Sequence, residues 1–470
     1  MAATARQPAV EPELRVNAPS VAVEASPIEA LALLTSGGGD RVALDRGTGL
    51  NRYGCGPSPD GAISAFGSST CSTISTAAFA AVERLTGRLA EEATRESESE
   101  LYRQELGRIR GKLTGLLGLH DVAGVNTILS PSGTDLHRLA LCLTAAGAAS
   151  PPLVILPEPY DTGGGVVAAL GGQVGPTAAL RAAMMAPSLE ATLLQPQIMT
   201  APSRAADGRL RPAHQIDEEI SAIAAAAARA GRKVLLVMMD VSKTGLISPS
   251  VACAQDLKQR FPEQVEVMVD ACQLRLAPPT LAAYLRHDFL VAITGSKFMT
   301  GPAFSAALLV PEAAAGRMQA ARAPRALADL CLQGELPEGW RNAPELKARA
   351  NFGLVLRWEA ALEEMKRFSA LPPAAVARFF GDFAATVSER LADDEAFEAV
   401  AVRPLERTGL GAAPSWDRIQ TIFPFMLKRG GRAMVPVETL AVQRLMARRG
   451  RAADTRAADP RAADFRGGGA

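Results

Sequence analysis

Short apolar runs, each closed by a polar or Gly-rich turn, recur through the middle of the chain: Val125-Asn-Thr-Ile-Leu129, Leu153-Val-Ile-Leu156, Lys233-Val-Leu-Leu-Val-Met-Met239, Val267-Met-Val-Asp270 and Phe289-Leu-Val-Ala-Ile-Thr294. Their length and the absence of a 3.6-residue period predict buried strands. A further strand is expected near residue 305, and another is hidden between about 172 and 200. Between these runs the pattern turns helical, over residues 76 to 118 with a charged face from Glu91 to Glu105, over Asp135 to Thr144, and over the Ala-rich stretch Ile216 to Ala230. Strand and helix in alternation predict an α/β sheet covered on both faces. From about residue 312 the pattern is helical, and Asn351-Phe-Gly-Leu-Val-Leu-Arg357 opens a long helix. Ile419-Gln-Thr-Ile-Phe-Pro-Phe-Met-Leu427 then reads as a strand and Val437 to Arg449 as a helix, the parts of a small C-terminal α+β domain.

The two ends read differently. Residues 1–25 are rich in Ala, Pro and Glu without apolar periodicity, which predicts a disordered arm. Order is expected from Ser26-Pro27-Ile28-Glu29, a helix start with a capping residue, Pro at the first position and an acid to close the box, and the helix should stop at Gly37-Gly38-Gly39. Residues 451–470 repeat Arg-Ala-Ala-Asp three times and close in Gly-Gly-Gly-Ala, a tail that cannot build a core. The expected layout is an N-terminal segment over 26–120, a large domain over 121–330, a small domain over 331–450, and the tail.

Composition narrows the partners. Of 470 residues 48% are hydrophobic, enough for a large core, and 50 basic against 49 acidic side chains leave a formal charge of +1. That balance gives no electrostatic case for nucleic acid or an anionic membrane, so a small molecule is the expected partner. The six cysteines, Cys55, Cys71, Cys142, Cys253, Cys272 and Cys331, are scattered, as are the four histidines, which argues for free thiols and against a metal site. No run of about 18 apolar residues and no secretory leader pattern is present, so a cytoplasmic enzyme is the default expectation.

The chemistry gathers where the strands end. In an open α/β sheet ligands collect at the carboxyl ends of the strands, which would bring Asp270 and Lys297 to one crevice. Lys297 lies among Thr294, Ser296 and a Gly301-Pro302 pair, a phosphate-sized cluster of donors beside an amine. Asp270-Ala-Cys-Gln273 followed by Thr294-Gly-Ser-Lys297 resembles the cofactor site of the class V aminotransferase and cysteine desulfurase group of pyridoxal-phosphate (PLP) enzymes. The chemistry of that group asks for these residue types: a lysine amine to condense with the aldehyde and a carboxylate to hold the pyridine nitrogen protonated. The resemblance covers about residues 50 to 450, is strongest from 125 to 305, and implies the PLP-dependent transferase fold of type I, with a seven-stranded, mostly parallel sheet. It also implies a homodimer with sites at the interface.

Further positions follow from the same resemblance. Val125–Leu129, the turn Ser130-Pro-Ser-Gly-Thr134 and the helix after it form a strand, Gly turn and helix that would offer free amides to a phosphate, with Ser132, Gly133 and Thr134 as its contacts. Family members place a stacking histidine after the next strand; this chain has Tyr160 nearby, the candidate to replace it. The run Ser242-Lys-Thr-Gly-x-x-x-Pro249 is similar to one in the alanine-glyoxylate branch and makes Ser242 and Thr244 candidate cofactor or substrate contacts, with Gln273 on the phenolic oxygen. Lys243 reads as a solvent-facing charge. Asn351, at the start of the long helix, is a candidate for the partner subunit's phosphate. The Gly- and Ser-rich passage from 51 to 73 offers Asn51, Arg52 and Tyr53 as substrate contacts.

The expected activity is that of a PLP-dependent transferase, an aminotransferase acting on a small amino acid or amine. Lyase and decarboxylase chemistry share its first steps and stay open. A desulfurase needs a mobile cysteine near the C-terminus, and the last one, Cys331, falls in a predicted helical region. Two other readings are carried. The Gly163-x-Gly165-x-x-Ala168 loop formally fits a dinucleotide fingerprint, the mark of a nicotinamide-dependent oxidoreductase, but lacks a convincing acid at the end of a second strand. The shortened C-terminal domain also allows a PLP-binding protein with impaired turnover, because the arginine that should grip the substrate carboxylate is missing from its usual place unless Arg52 or Arg418 has taken over.

Overall fold

Seven strands form one sheet in the order β1-β7-β6-β5-β4-β2-β3. They are β1 (Asn126–Ser130), β2 (Leu153–Leu156), β3 (Gln197–Thr200), β4 (Val234–Met239), β5 (Val265–Asp270), β6 (Leu290–Thr294) and β7 (Ala306–Val310). In the computed structural model, residues 30–38, 42–51, 53–60, 72–157, 161–163, 165–171, 195–443 and 445–446 are described. Strands β3, β2, β4, β5 and β6 run parallel, while β7 is antiparallel to both β6 and β1. The sheet is the seven-stranded, mostly parallel one expected. Its hidden member is β3, a four-residue strand at the edge.

Alternation along each strand feeds two cores. On β5, Val265, Val267 and Val269 join one core and Met268 the other; on β4, Leu236 and Met238 oppose Leu235 and Val237. Both faces are dry, so these strands carry unbroken apolar runs and show no polar alternation. The first core is covered by α1 (Ala30–Leu34), α2 (Thr76–Glu92) and α3 (Glu98–Leu116), the second by α4 (Gly133–Thr144) and α5 (Val166–Leu170). Helices α6 (Ala213–Arg229), α7 (Val251–Arg260) and α8 (Pro278–Arg286) return to the first face, and α9 (Glu312–Gln319) lies on the second. Ser75, Ser97, Ser132 and Ser250 cap their helices by accepting a backbone N–H, which fixes where each begins.

Helix α10 (Phe352–Ser369) leads from the first face into the small domain, which holds α11 (Pro373–Asp393) and a three-stranded antiparallel sheet of β8 (Phe397–Ala399), β9 (Phe425–Arg429) and β10 (Arg432–Ala433). Residues 436–443 are helical. The strand expected over Ile419–Leu427 starts only at Phe425. Upstream, Thr421 and Ile422 donate their N–H groups to Gln420 Oε1 and Pro424 has none to give, so the pairing with β8 ends at the Pro424 carbonyl, which accepts the Val400 N–H at 2.9 Å. The upstream piece crosses to the large domain, where Gln420 Nε2 donates to the Gly245 carbonyl at 2.8 Å. The small domain also seats Trp416, Phe368 and Phe380 around Phe298, the residue after Lys297. The predicted arm (1–25), the helix start at Ser26–Glu29 and the tail (451–470) lie outside the described residues.

Candidate active site

Asp270 is the last residue of β5 and is buried. Its Oδ1 accepts the Cys272 N–H at 3.1 Å, and its Oδ2 lies 3.1 Å from His137 Nε2, an ion-pair contact more than an aligned hydrogen bond. The other ring nitrogen of His137 faces the Gly133 carbonyl at 2.8 Å, one helical turn back. Both nitrogens thus face oxygen acceptors. Burial alone would push the Asp270 carboxyl up; the charge of His137, then that of Lys297, and the Cys272 amide hold it well below the usual carboxylate range.

Four further loops converge on this carboxylate. At the start of α4, a Cβ added to Gly133 would stand 2.7 Å from Cys272 Sγ and 3.5 Å from the Thr294 methyl, so the turn fits against the ends of β5 and β6 only as glycine. Ser132 caps the helix by accepting the Asp135 N–H and donates to the Asp135 carboxylate at 2.6 Å. The amides of Gly133 and Thr134 are those a helix leaves free at its positive end. Thr294 Oγ1 donates to the Cys272 carbonyl at 2.6 Å, joining the ends of β5 and β6. The loop after β6 then carries Ser296, buried, and Lys297, half-buried.

The loop after β2 reaches between the others. Gly163 and Gly165 flank the Thr134 side chain, and buried Asp161 accepts hydrogen bonds from Ser242 Oγ, at 3.3 Å, and from Thr244 Oγ1. The hydroxyls named from the sequence at 242 and 244 therefore meet on a carboxylate, Asp161, that pattern reasoning passed over. Lys243 between them is exposed. Its ammonium is nonetheless lowered from the usual lysine value, first by lost hydration and then by the like charge of Lys297, while Asp270 and Asp161 pull the other way. Its exposure agrees with the reading of a solvent-facing charge, set at the edge of the crevice's electrostatic field. Gln273 is buried with an Oε1 that has no hydrogen-bond partner among the described residues.

Other candidates stand elsewhere. Asn351 caps α10, accepting the Leu354 N–H and donating to the Gly37 carbonyl at 3.1 Å. Arg418 is exposed, with a 3.5 Å contact to the Ala412 carbonyl. Asn51 closes a turn by accepting the N–H groups of Tyr53 and Cys55, and Tyr53 packs on Phe304, beyond the lysine loop. Arg52 and Tyr160 lie outside the described residues. Sequence reasoning missed His137, whose only signal was its place four residues after Gly133 on a helix opening at the crevice. It also missed Arg275, half-buried, which lies over the Phe298 ring at 4.8 Å and donates to Thr421 Oγ1 at 2.8 Å. Burial pushes its guanidinium down to about 10, and no carboxylate pairs with it among the described residues.

No protein-family model and no curated protein matches the chain. Among solved structures it is similar to the cystine C-S lyase C-DES in complex with its product cysteine persulfide, at 16% identity over 80% of this chain and 88% of that one, with a TM-score of 0.47. It is also similar to a ureidoglycine-glyoxylate aminotransferase from Bacillus subtilis, at 11% identity over 74% of each chain and a TM-score of 0.46. A third is the cysteine desulfurase CsdA from Escherichia coli, at 16% identity over 71% of this chain and 74% of that one, with a TM-score of 0.45. Among the described residues no helix is long and apolar enough to cross a membrane, and no cluster of His, Cys, Asp and Glu is arranged to hold a metal ion.

Proposed function

We propose that the crevice binds pyridoxal 5'-phosphate and that the protein is a PLP-dependent enzyme acting on a small amino acid or amine, an aminotransferase before a lyase or decarboxylase. The observation that carries this reading is a buried carboxylate, Asp270, held ionised within the field of the Lys297 amine and packed against a glycine-led helix start. The residues present fit the group: the Gly133 turn leaves backbone where a Cβ would clash, and Gln273 keeps a buried polar atom unpaired.

When bound, PLP supplies an electron sink for the carbon next to the substrate amine. The protein's part is positional and acid-base. Asp270, backed by His137, would hold a proton on the pyridine nitrogen. The Gly133 and Thr134 amides, with Ser132, Thr294 and Ser296 around them, would hold the phosphate, and Gln273, Ser242 and Thr244 the ring's oxygen side. Lys297 Nζ would anchor the aldehyde carbon and move the proton at the substrate's Cα. Arg275, a guanidinium without an acidic partner on the wall shared with the small domain, suits the substrate carboxylate better than Arg418 does. Tyr160, Arg52 and Asn351 stay candidates on the resemblance alone, as do Asn51 and Tyr53 and the homodimer.

One observation weighs against desulfurase chemistry at Cys331. Its thiol is buried, donates to the Leu332 carbonyl, and is pushed well above the usual cysteine value by burial and then by the charge of Glu335. A nucleophilic cysteine needs the opposite setting. The test is a titration of the full chain with PLP followed by absorbance, then a panel of α-amino acids. Bound-coenzyme absorbance that changes with at least one amino acid is expected; no protein-dependent absorbance would refute the reading.

A further inference from the structure

The loop that carries Lys297 is closed on itself and seated on α10. Its neck is shut by the Gly301 N–H, which donates to the Gly295 carbonyl at 2.9 Å, and the Thr300 N–H donates to the Lys297 carbonyl at 3.0 Å. Both neck glycines lie against the helix: a Cβ added at Gly295 would stand 2.5 Å from the Ala361 Cβ, and one added at Gly301 would stand 2.8 Å from it. Loop and helix approach that closely only because the loop carries no side chain at either point.

Phe298, next to Lys297, fixes the tip of the same loop. Its ring centroid lies 5.4 Å from that of Phe368 on α10, edge to face, 5.8 Å from Phe380 on α11 and 5.9 Å from Trp416. Trp416 in turn lies 5.6 Å from Phe368 and 5.7 Å from Phe380, so the four rings form one cluster at separations where aromatic side chains attract. The Arg275 guanidinium covers the Phe298 ring at 4.8 Å from its centroid, a cation–π contact. The box is itself tied to the large domain, since the Asp417 carboxylate beside Trp416 accepts the Ala277 N–H at 2.9 Å.

We propose that Phe298 is a positioning residue for Lys297. With its ring seated between Phe368, Phe380 and Trp416, the backbone from which the lysine side chain departs has one orientation, and the small domain thereby sets the place of the amine. This deepens the reading of Lys297 as the amine that holds the coenzyme, and rests on it. An amine on an unanchored tip is still present but samples positions outside the reacting geometry, where a displacement of about 1 Å costs about 10²-fold in rate.

Trp416→Ala removes one wall of the box and leaves every residue of the loop in place; Trp416→Phe restores an aromatic wall. In the coenzyme-free full chain, trace acetylation followed by peptide mapping compares half-buried Lys297 with exposed Lys243 in the same molecule. The reactivity of Lys297 relative to Lys243 should rise several-fold in Trp416→Ala and in Phe298→Ala, and return close to the parent ratio in Trp416→Phe. In the PLP-loaded chain, exchange of the substrate α-proton at saturation should fall by about tenfold in Trp416→Ala and about 10²-fold in Phe298→Ala, with the amino-acid KM unchanged. Thermal midpoints are read alongside, and Phe298→Leu, which keeps an apolar side chain in the box, carries the test should the alanine variants not fold. A Lys297 to Lys243 ratio that ignores these substitutions, or a change that Trp416→Phe does not reverse, would overturn the proposal. Absence of coenzyme absorbance in the parent chain would instead overturn the reading of the crevice, with the acetylation ratio still deciding whether Phe298 positions the amine.

Discussion

Asp240 and Asp270 stand side by side where β4 and β5 end, the Asp240 N–H donating to the Asp270 carbonyl at 3.0 Å, and both side chains are buried. Their neighbours separate them. Arg407 takes Asp240 with Nε and Nη2, at 2.7 and 2.6 Å, and Tyr284 adds its hydroxyl at 2.6 Å. Arg407 also donates to the Asp417 carbonyl, and the Asp417 carboxylate accepts the Ala277 N–H, so this acid bolts the 407–417 stretch to the large domain. Asp270 meets one imidazole and one amide, and retains acceptor capacity toward the crevice. Position on the sheet places a carboxylate where ligands gather; the number of lone pairs its neighbours occupy decides whether it can act on one.

The largest effect that sharpens this contrast is expected from Asp270→Asn. PLP should still bind, while exchange of the substrate α-proton, followed by NMR in deuterated water, falls by about 10²-fold or more, the size of a lost acid-base partner. Asp240→Asn should leave the coenzyme spectrum unchanged but strand Arg407 as a buried unpaired cation, costing about 3–5 kcal/mol in denaturant unfolding. Exchange of these two outcomes between the two sites would break the comparison.

Glu335 supplies a third buried carboxylate. It accepts from the Leu332 N–H and the Tyr102 hydroxyl, and among the described residues no guanidinium or imidazole bonds to its side chain. Burial pushes its carboxyl up to about 7, against those two donors. The folded chain thus keeps a proton that the unfolded chain has lost between the ordinary glutamate value and about 7. The resulting stability is fully present below that window, is lost as pH rises through it, and is flat above; its size is roughly 3 kcal/mol. Glu335→Gln should flatten that part of the pH profile of unfolding. The smallest effect is expected from His137→Asn, about tenfold in α-proton exchange, because it acts through Asp270.

Much of this was legible in the chain. Strands β1, β2 and β4 to β6 appear as apolar runs because both faces of the sheet are dry, and Asp270 and Lys297 could be singled out because a charge closes each of two such runs. Strand β3 was legible only as a gap, since four half-buried or exposed residues give no period. The piece over Ile419–Pro424 misled for a local reason, as β-prone side chains there have their N–H groups taken by Gln420. His137, Asp161 and Arg407 could not be found by pattern. Each derives its role from a partner 81 to 167 residues away in sequence, or from a strand end it meets only in the fold.

The central claim is that Lys297 is the amine that holds the coenzyme in the crevice shared with Asp270. Borohydride reduction of the PLP-loaded full chain, followed by peptide mapping, tests it directly. The account predicts a single pyridoxyl label on Lys297, absent from Lys297→Ala. A label on Lys243, the second amine in the same field, or no specific label at all, would contradict it.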